Sequence, residues 1–184
     1  MTQMPNPIDR HEPQGLRNLA QHYMKDLVYG ANDGIITTFA IVAGVTGANL
    51  EPRIVLILGF ANLLADGFSM GASNFLSIRS DEAVRHTSGL EMQEPFPARH
   101  SLATFGAFVV AGVVPLASYV LVSGANQFRV AVVLTGFTLF VVGAARALVT
   151  HIRWWRGGSE MLAVGSIAAA VAYGIGAVVD QIIG

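Results

Sequence analysis

The chain has 184 residues, 53% of them hydrophobic and only 12% charged, with a formal net charge of -1 and no cysteine. Half the charge of an average soluble domain is missing, the scattered bases leave no footprint for nucleic acid, and without cysteine there is neither a disulfide framework nor a thiolate metal site. The charges that remain leave long stretches bare: Asp66 alone between Ile54 and Ile78, none between Ser101 and Gln127, Arg146 alone from Val130 to Val149, Asp180 alone from Met161 to Gly184. Each stretch reaches the ~20 residues needed to cross a bilayer. The pattern predicts an all-α integral membrane protein.

Residues 1–15 are polar and Pro-rich and read as a flexible tail; no apolar core of a cleavable signal precedes Gln21. Leu16, Leu19, Ala20, Tyr23 and Leu27 then recur at helical spacing opposite Arg17, Asn18, Gln21, His22 and Lys25, as in an amphipathic helix lying in the membrane interface. Five spans are predicted over 27–49, 54–78, 101–123, 129–150 and 160–183, forming one domain from residue 16 to 184, with 79–100 as the sizeable loop. Pro115 predicts a kink in the third span. Small residues four apart (Ala107 and Ala111, Gly165 and Ala169, Ala170 and Gly174, Ala172 and Gly176) suit close helix contacts. Trp154 and Trp155 are expected to anchor the end of span four, and Glu160 to favour the first turn of span five.

Lys and Arg set the orientation. Arg10, Arg17, Lys25, Arg79, Arg85, Arg99, Arg153 and Arg156 fall on one side and only Arg53 and Arg129 on the other. The amino terminus is therefore expected in the cytosol and, after five spans, the carboxyl terminus outside it.

Two acids break the apolar pattern inside spans one and two. An ionised carboxylate at bilayer depth costs about 2.5–3.5 kcal/mol on insertion scales, and neither Asp33 nor Asp66 has a base at similar depth in its own or the neighbouring span. In span two, Asn62, Asp66, Met70 and Asn74 are four apart with Ser69 and Ser73 alongside, a stripe about 18 Å long. In span one, Asp26, Gly30, Asp33, Thr37, Ala40 and Gly44 share a face of polar and small residues. Facing each other, the stripes would wall a narrow path of carboxylate, amide, hydroxyl and thioether groups. Oxygen donors suit hard divalent ions, whereas a thioether disfavours Mg²⁺ and Ca²⁺; the mixed set points to Fe²⁺, Mn²⁺, Co²⁺ or Zn²⁺. Desolvation disfavours an ionised carboxylate, so protons and metal would compete for Asp33 and Asp66, a simple route to proton antiport. Asp26 and Asp180, near the interfaces, are expected to be solvated. In the loop, Glu82, His86, Glu91, Met92, Glu94 and His100 could capture metal, or the segment could be a solvated connector.

DLVYGANDGIITTFAIVAG (26–44) and LGFANLLADGFSMGASNFLS (58–77) resemble the first two spans of the vacuolar iron transporter family, and FGAFVVAGVVPLASYVL (105–121) resembles its third. The resemblance covers nearly all of the chain after residue 20. It implies a homodimer of five-span subunits, with a pore between the subunits lined by spans one and two, that carries Fe²⁺ or Mn²⁺ out of the cytosol in exchange for protons. Asp33 matches the family's first-span metal-site aspartate and Met70 the methionine of its second span. At Asn62 the plant members have glutamate; here the acid sits one turn on, at Asp66. Plant and yeast members also carry a long Glu-rich domain between spans two and three, reduced here to 78–100. The short loop and the lack of a targeting segment suggest a bacterial inner membrane. Two other classes stay open on the residues alone: an intramembrane aspartyl hydrolase, although its acids sit in YD and GxGD contexts rather than ANDG and LADG, and a non-transporting metal sensor.

Overall fold

The computed structural model describes residues 15–150 and 152–183; the expected tail lies, apart from Gly15, outside them. A short helix α1 (Leu16–His22) turns at Tyr23 into α2 (Met24–Gly47), followed by α3 (Pro52–Thr87), α4 (Pro97–Leu121), a 3₁₀ turn (Gly124–Asn126), α5 (Gln127–Thr150) and α6 (Trp154–Ile183). Among the described residues there is no strand, and α2 to α6 are each long and apolar enough to cross a membrane.

Helix α2 is the hub, packed against all four other long helices. Lipid tails are as apolar as leucine, so helices in a bilayer associate through close backbone approach rather than through escape from water. Glycine supplies that approach here. Along one seam Gly30 and Gly34 of α2 meet Thr104 and Phe108 of α4, where an added Cβ would run into their carbonyl oxygens, and Gly112 of α4 lies on the Gly34 backbone. Further along α2, Gly44 faces Gly176 and Gly47 faces Tyr173 on α6, and Gly143 of α5 lies against Gly157 of α6. Between these seams Ile35, Phe39, Val42, Val55, Leu63, Phe108, Leu116 and Leu139 form the buried core. Phe68, Val110, Leu121, Val133, Phe137, Ile167 and Ile182 stand exposed, an apolar girdle of the kind lipid covers.

Several boundaries differ from the sequence expectation. Span two does not stop at Ile78; α3 continues to Thr87, and α4 begins at Pro97, so the loop shrinks to 88–96. Hydropathy marks where lipid ends, whereas a helix needs only its own hydrogen bonds and continues through polar residues into water. Helix α3 is therefore about 54 Å long, far more than the ~30 Å hydrocarbon core. Gly89, at positive φ of 70°, ends it in the left-handed conformation usual after a helix. Likewise α6 starts at Trp154, so both tryptophans open α6 rather than close α5, and Glu160 lies beyond the first turn. Glu160 instead pairs with Arg146 of α5. The small-residue pairs divide: Ala107 and Gly176 sit at helix contacts, whereas Gly174 has nothing near its Cβ position.

The α2–α4 seam predicts a paired outcome. Gly34→Ala should cost about 1–3 kcal/mol, because the carbonyl of Phe108 cannot yield without moving α4. Gly106→Ala, with open space at its Cβ, should cost nothing. Thermal unfolding of the purified protein in detergent reads both; equal midpoints would show that the two backbones do not touch.

Candidate metal pathway

Between α2 and α3 lies a cavity of about 610 Å³ lined by Lys25, Asp26, Tyr29 and Asp33 from α2 and by Asp66, Ser69, Met70, Ser73, Asn74 and Ser77 from α3. Of the residues expected to form the path, Asp26, Asp33, Asp66, Met70, Ser69, Ser73 and Asn74 are thus together. Asn62 and Thr37 do not line this cavity. Asn62 is half-buried further along α3, and the Thr37 hydroxyl donates to the Asp33 carbonyl at 2.7 Å within its own helix. The expected first-span face also divides, since Gly30 packs on α4 and Gly44 on α6. Asp33 and Asp66 line the same cavity, and among the described residues neither is in an ion pair. Such a pair of acids beside a thioether, opening to the flank of the helix bundle through exposed Ser69, Ser73 and Ser77, can hold a cation or a proton, and among the described residues Lys25 is the base that lines the cavity.

Asp26 departs from expectation. It is buried, not solvated. Asn74 Nδ2 donates to its Oδ1 at 2.8 Å, and His100 Nδ1 donates to its Oδ2 at 2.6 Å. Thr104 lies 3.4 Å from Oδ1, but its hydroxyl accepts from Asn74 at 2.8 Å and donates to the His100 carbonyl at 3.0 Å. The strong donors to Asp26 are therefore one amide from α3 and one imidazole from α4. Periodicity could not disclose this, because the partners lie 48 and 74 positions away.

The loop residues also separate into roles. The Glu82 carboxylate accepts from the backbone N–H of Gln93 at 3.0 Å and of Glu94 at 2.8 Å, and the Arg85 guanidinium holds the Glu91 carbonyl. Both fold 88–96 back onto the end of α3. His86, Glu91 and Met92 are exposed. Glu94 turns inward, its Oε2 lying 2.9 Å from His100 Nε2 and 3.3 Å from His22 Nε2. His22 was legible in the sequence only as part of the polar face of α1. Tyr23 packs its ring on His22 edge-on and on His100 at 4.7 Å. Burial first, then the Glu94 and Asp26 carboxylates, push the Tyr23 phenol above its ordinary range, so it stays a neutral wall.

The VIT family model matches residues 24–94 and 81–177, most of the chain. The chain belongs to the VIT family. VIT relatives include a "Vacuolar iron transporter" of Toxoplasma gondii, 26% identical over 234 residues that cover 91% of this chain and 78% of the relative. "Vacuolar iron transporter 1" of Arabidopsis thaliana is 28% identical over 220 residues, 88% of each chain. "Vacuolar iron transporter homolog 5" of Oryza sativa subsp. japonica is 29% identical over 164 residues, 84% of this chain and 79% of the relative. The Toxoplasma alignment is longer than this whole 184-residue VIT chain, so that relative carries internal residues absent here.

The Asp26 cluster makes a stability prediction. Asn74→Ala leaves Asp26 Oδ1 without its short donor and should cost about 1–3 kcal/mol, seen as a lower melting midpoint in detergent. Ser80→Ala, which loses only a bond to its own helix, should leave the midpoint in place; equal effects would remove Asp26 from the role of linchpin.

Proposed function

We propose that this protein is a transmembrane transporter that carries a divalent transition metal, Fe²⁺ or Mn²⁺, out of the cytosol in exchange for protons. One observation carries the proposal: Asp33, Asp66 and Met70 line a single cavity between two membrane-length helices. Family membership agrees with it, since relatives bear the name vacuolar iron transporter, and it sets aside the hydrolase alternative. The chemistry follows from the donors. Two carboxylates supply charge to a divalent ion, and the Met70 thioether biases the site toward softer first-row ions over Mg²⁺ and Ca²⁺. With no base paired to either acid among the described residues, release of metal leaves two carboxylates that protons can neutralise. Uptake of protons from the far side and of metal from the cytosolic side then alternate on the same oxygens.

The open flank supports a homodimer. Ser69, Ser73 and Ser77 of α3 are exposed beside the cavity, and hydrocarbon cannot satisfy the polar groups there. A second copy packed across this face closes the path and doubles its acids. The basic residues support a cytosolic amino terminus. Lys25 opens α2, Arg79 and Arg85 lie toward the end of α3, Arg99 opens α4, and Arg153 and Arg156 flank the start of α6, which the positive-inside rule assigns to the cytosol. The carboxyl terminus is then non-cytosolic. The membrane is the bacterial inner membrane, or an organelle membrane in a eukaryotic cell.

The test is metal uptake into proteoliposomes with an acidic interior, comparing Fe²⁺, Mn²⁺, Zn²⁺ and Mg²⁺. Fe²⁺ or Mn²⁺ should enter saturably and only with the proton gradient, and Asp33→Asn and Asp66→Asn should each slow entry about tenfold or more, the worth of one lost charged contact. Gradient-independent entry would end the antiport reading, and no entry of any ion would end the transport reading.

A further inference from the structure

We propose that His22, Glu94 and His100 form a second metal site, a mononuclear site for a first-row divalent transition metal at the mouth of the pathway. The three side chains come from different places: the last residue of α1, the 88–96 loop and the first turn of α4. Each offers a donor atom, and those atoms all lie within 4.8 Å of one another. Donors bound at 2.0–2.2 Å to one tetrahedral ion lie about 3.3–3.6 Å apart. Glu94 Oε2 already lies 2.9 and 3.3 Å from the two Nε2 atoms, so what remains is for the imidazoles to close by about an ångström. His22 and Glu94 are partly exposed, which leaves them free to do so and leaves the ion a way in.

The hydrogen bonds point the same way. The Asp26 carboxylate can only accept, so the hydrogen on His100 Nδ1 is fixed by that 2.6 Å contact. This is the carboxylate–imidazole arrangement that orients metal-binding histidines and raises their basicity, leaving Nε2 to the metal. His100 Nε2 and His22 Nε2 both face Glu94 Oε2. A carboxylate has no proton to offer, so each contact requires either a ring N–H or a cation, and one ion at the centre serves all three groups. Two imidazoles and one carboxylate with open positions suit Fe²⁺ and Zn²⁺; the nitrogen donors disfavour Mg²⁺ and Ca²⁺, which take oxygen. Glu82 fixes the loop that presents Glu94, and Tyr23 packs on both imidazoles.

The location supplies a role. Asp26 lies on His100 on one side and lines the cavity of Asp33, Asp66 and Met70 on the other, so a metal at His100 waits one side chain from the path. Binding at this site stands by itself; its use as the capture point rests on the transport reading above. It would let a VIT chain with a short α3–α4 loop collect metal with three residues.

The test uses Co²⁺ as the probe, titrated into the purified full chain in detergent with Mg²⁺ present, and read by visible ligand-field absorption. Saturable Co²⁺ binding with nitrogen-type bands is expected, weakened at least about tenfold in His22→Ala and in Glu94→Gln and retained in the Asp33→Asn, Asp66→Asn double variant. His22 and Glu94 lie outside the spans, so these variants remain informative where His100→Gln fails to fold. Co²⁺ binding unaffected by either substitution, or bands of an all-oxygen site in the Asp33→Asn, Asp66→Asn double variant, would overturn the proposal. Binding at this site in a protein that moves no metal would keep the site and discard its capture role; metal flux with wild-type rates in His22→Ala and Glu94→Gln at limiting metal would discard that role as well.

Discussion

A carboxylate removed from water must be met by donors or by a cation, and Asp26 is met by α3 and α4 at once. It stands at the end of the α2–α4 seam, where the four-residue steps Asp26, Gly30, Gly34 run alongside Thr104, Phe108, Gly112. Its bond to Asn74 then sets the rotation of α3. Residues four apart on a helix share a face, so holding Asn74 against α2 turns Met70 and Asp66 the same way. Asp33 lies two turns beyond Asp26 on nearly the same face of α2. One buried carboxylate thereby brings the acids of both helices to a common cavity.

The other constraint is the absence of water along the spans. Every backbone group must be satisfied within its helix, and what remains to hold helices together is close contact. Glycines provide it at three interfaces around α2, α4, α5 and α6, while α3 is joined to α4 mostly through side chains, with Leu116 on Gly59 and Phe105 and Phe108 on Gly67. The helix that carries most of the path meets the α4 backbone closely at Gly71, against the Ser101 carbonyl, and there the Ser101 hydroxyl donates to the Gly71 carbonyl.

Beyond the spans, polar order continues. Helix α3 runs on past the apolar segment and its last turns hold the 88–96 loop through Glu82 and Arg85. The loop in turn carries Glu94 to the two histidines. Residues that look alike in the sequence have different work there: Glu82 builds the loop, Glu94 faces inward, and Glu91 and His86 face water.

The all-α membrane class, the number of apolar helices, and the stripe of Asp66, Met70 and Asn74 are legible in the residues alone, because burial in lipid acts on local composition and a helix repeats every 3.6 residues. Asp33 stood out for the same reason, as a charge where charge is costly. The ends of α3, α4 and α6 were not legible, since a helix leaving the membrane loses its hydropathy signal while keeping its hydrogen bonds. Nor was the burial of Asp26, which near a helix start looks like any solvated acid. Helix packing, not any local pattern, makes Asp26, Asn74 and His100 meet, keeps Asn62 and Thr37 off the cavity, and brings His22, Glu94 and His100 together. Those contacts join positions far apart in the chain, and their existence depends on how whole helices pack rather than on any pattern within one.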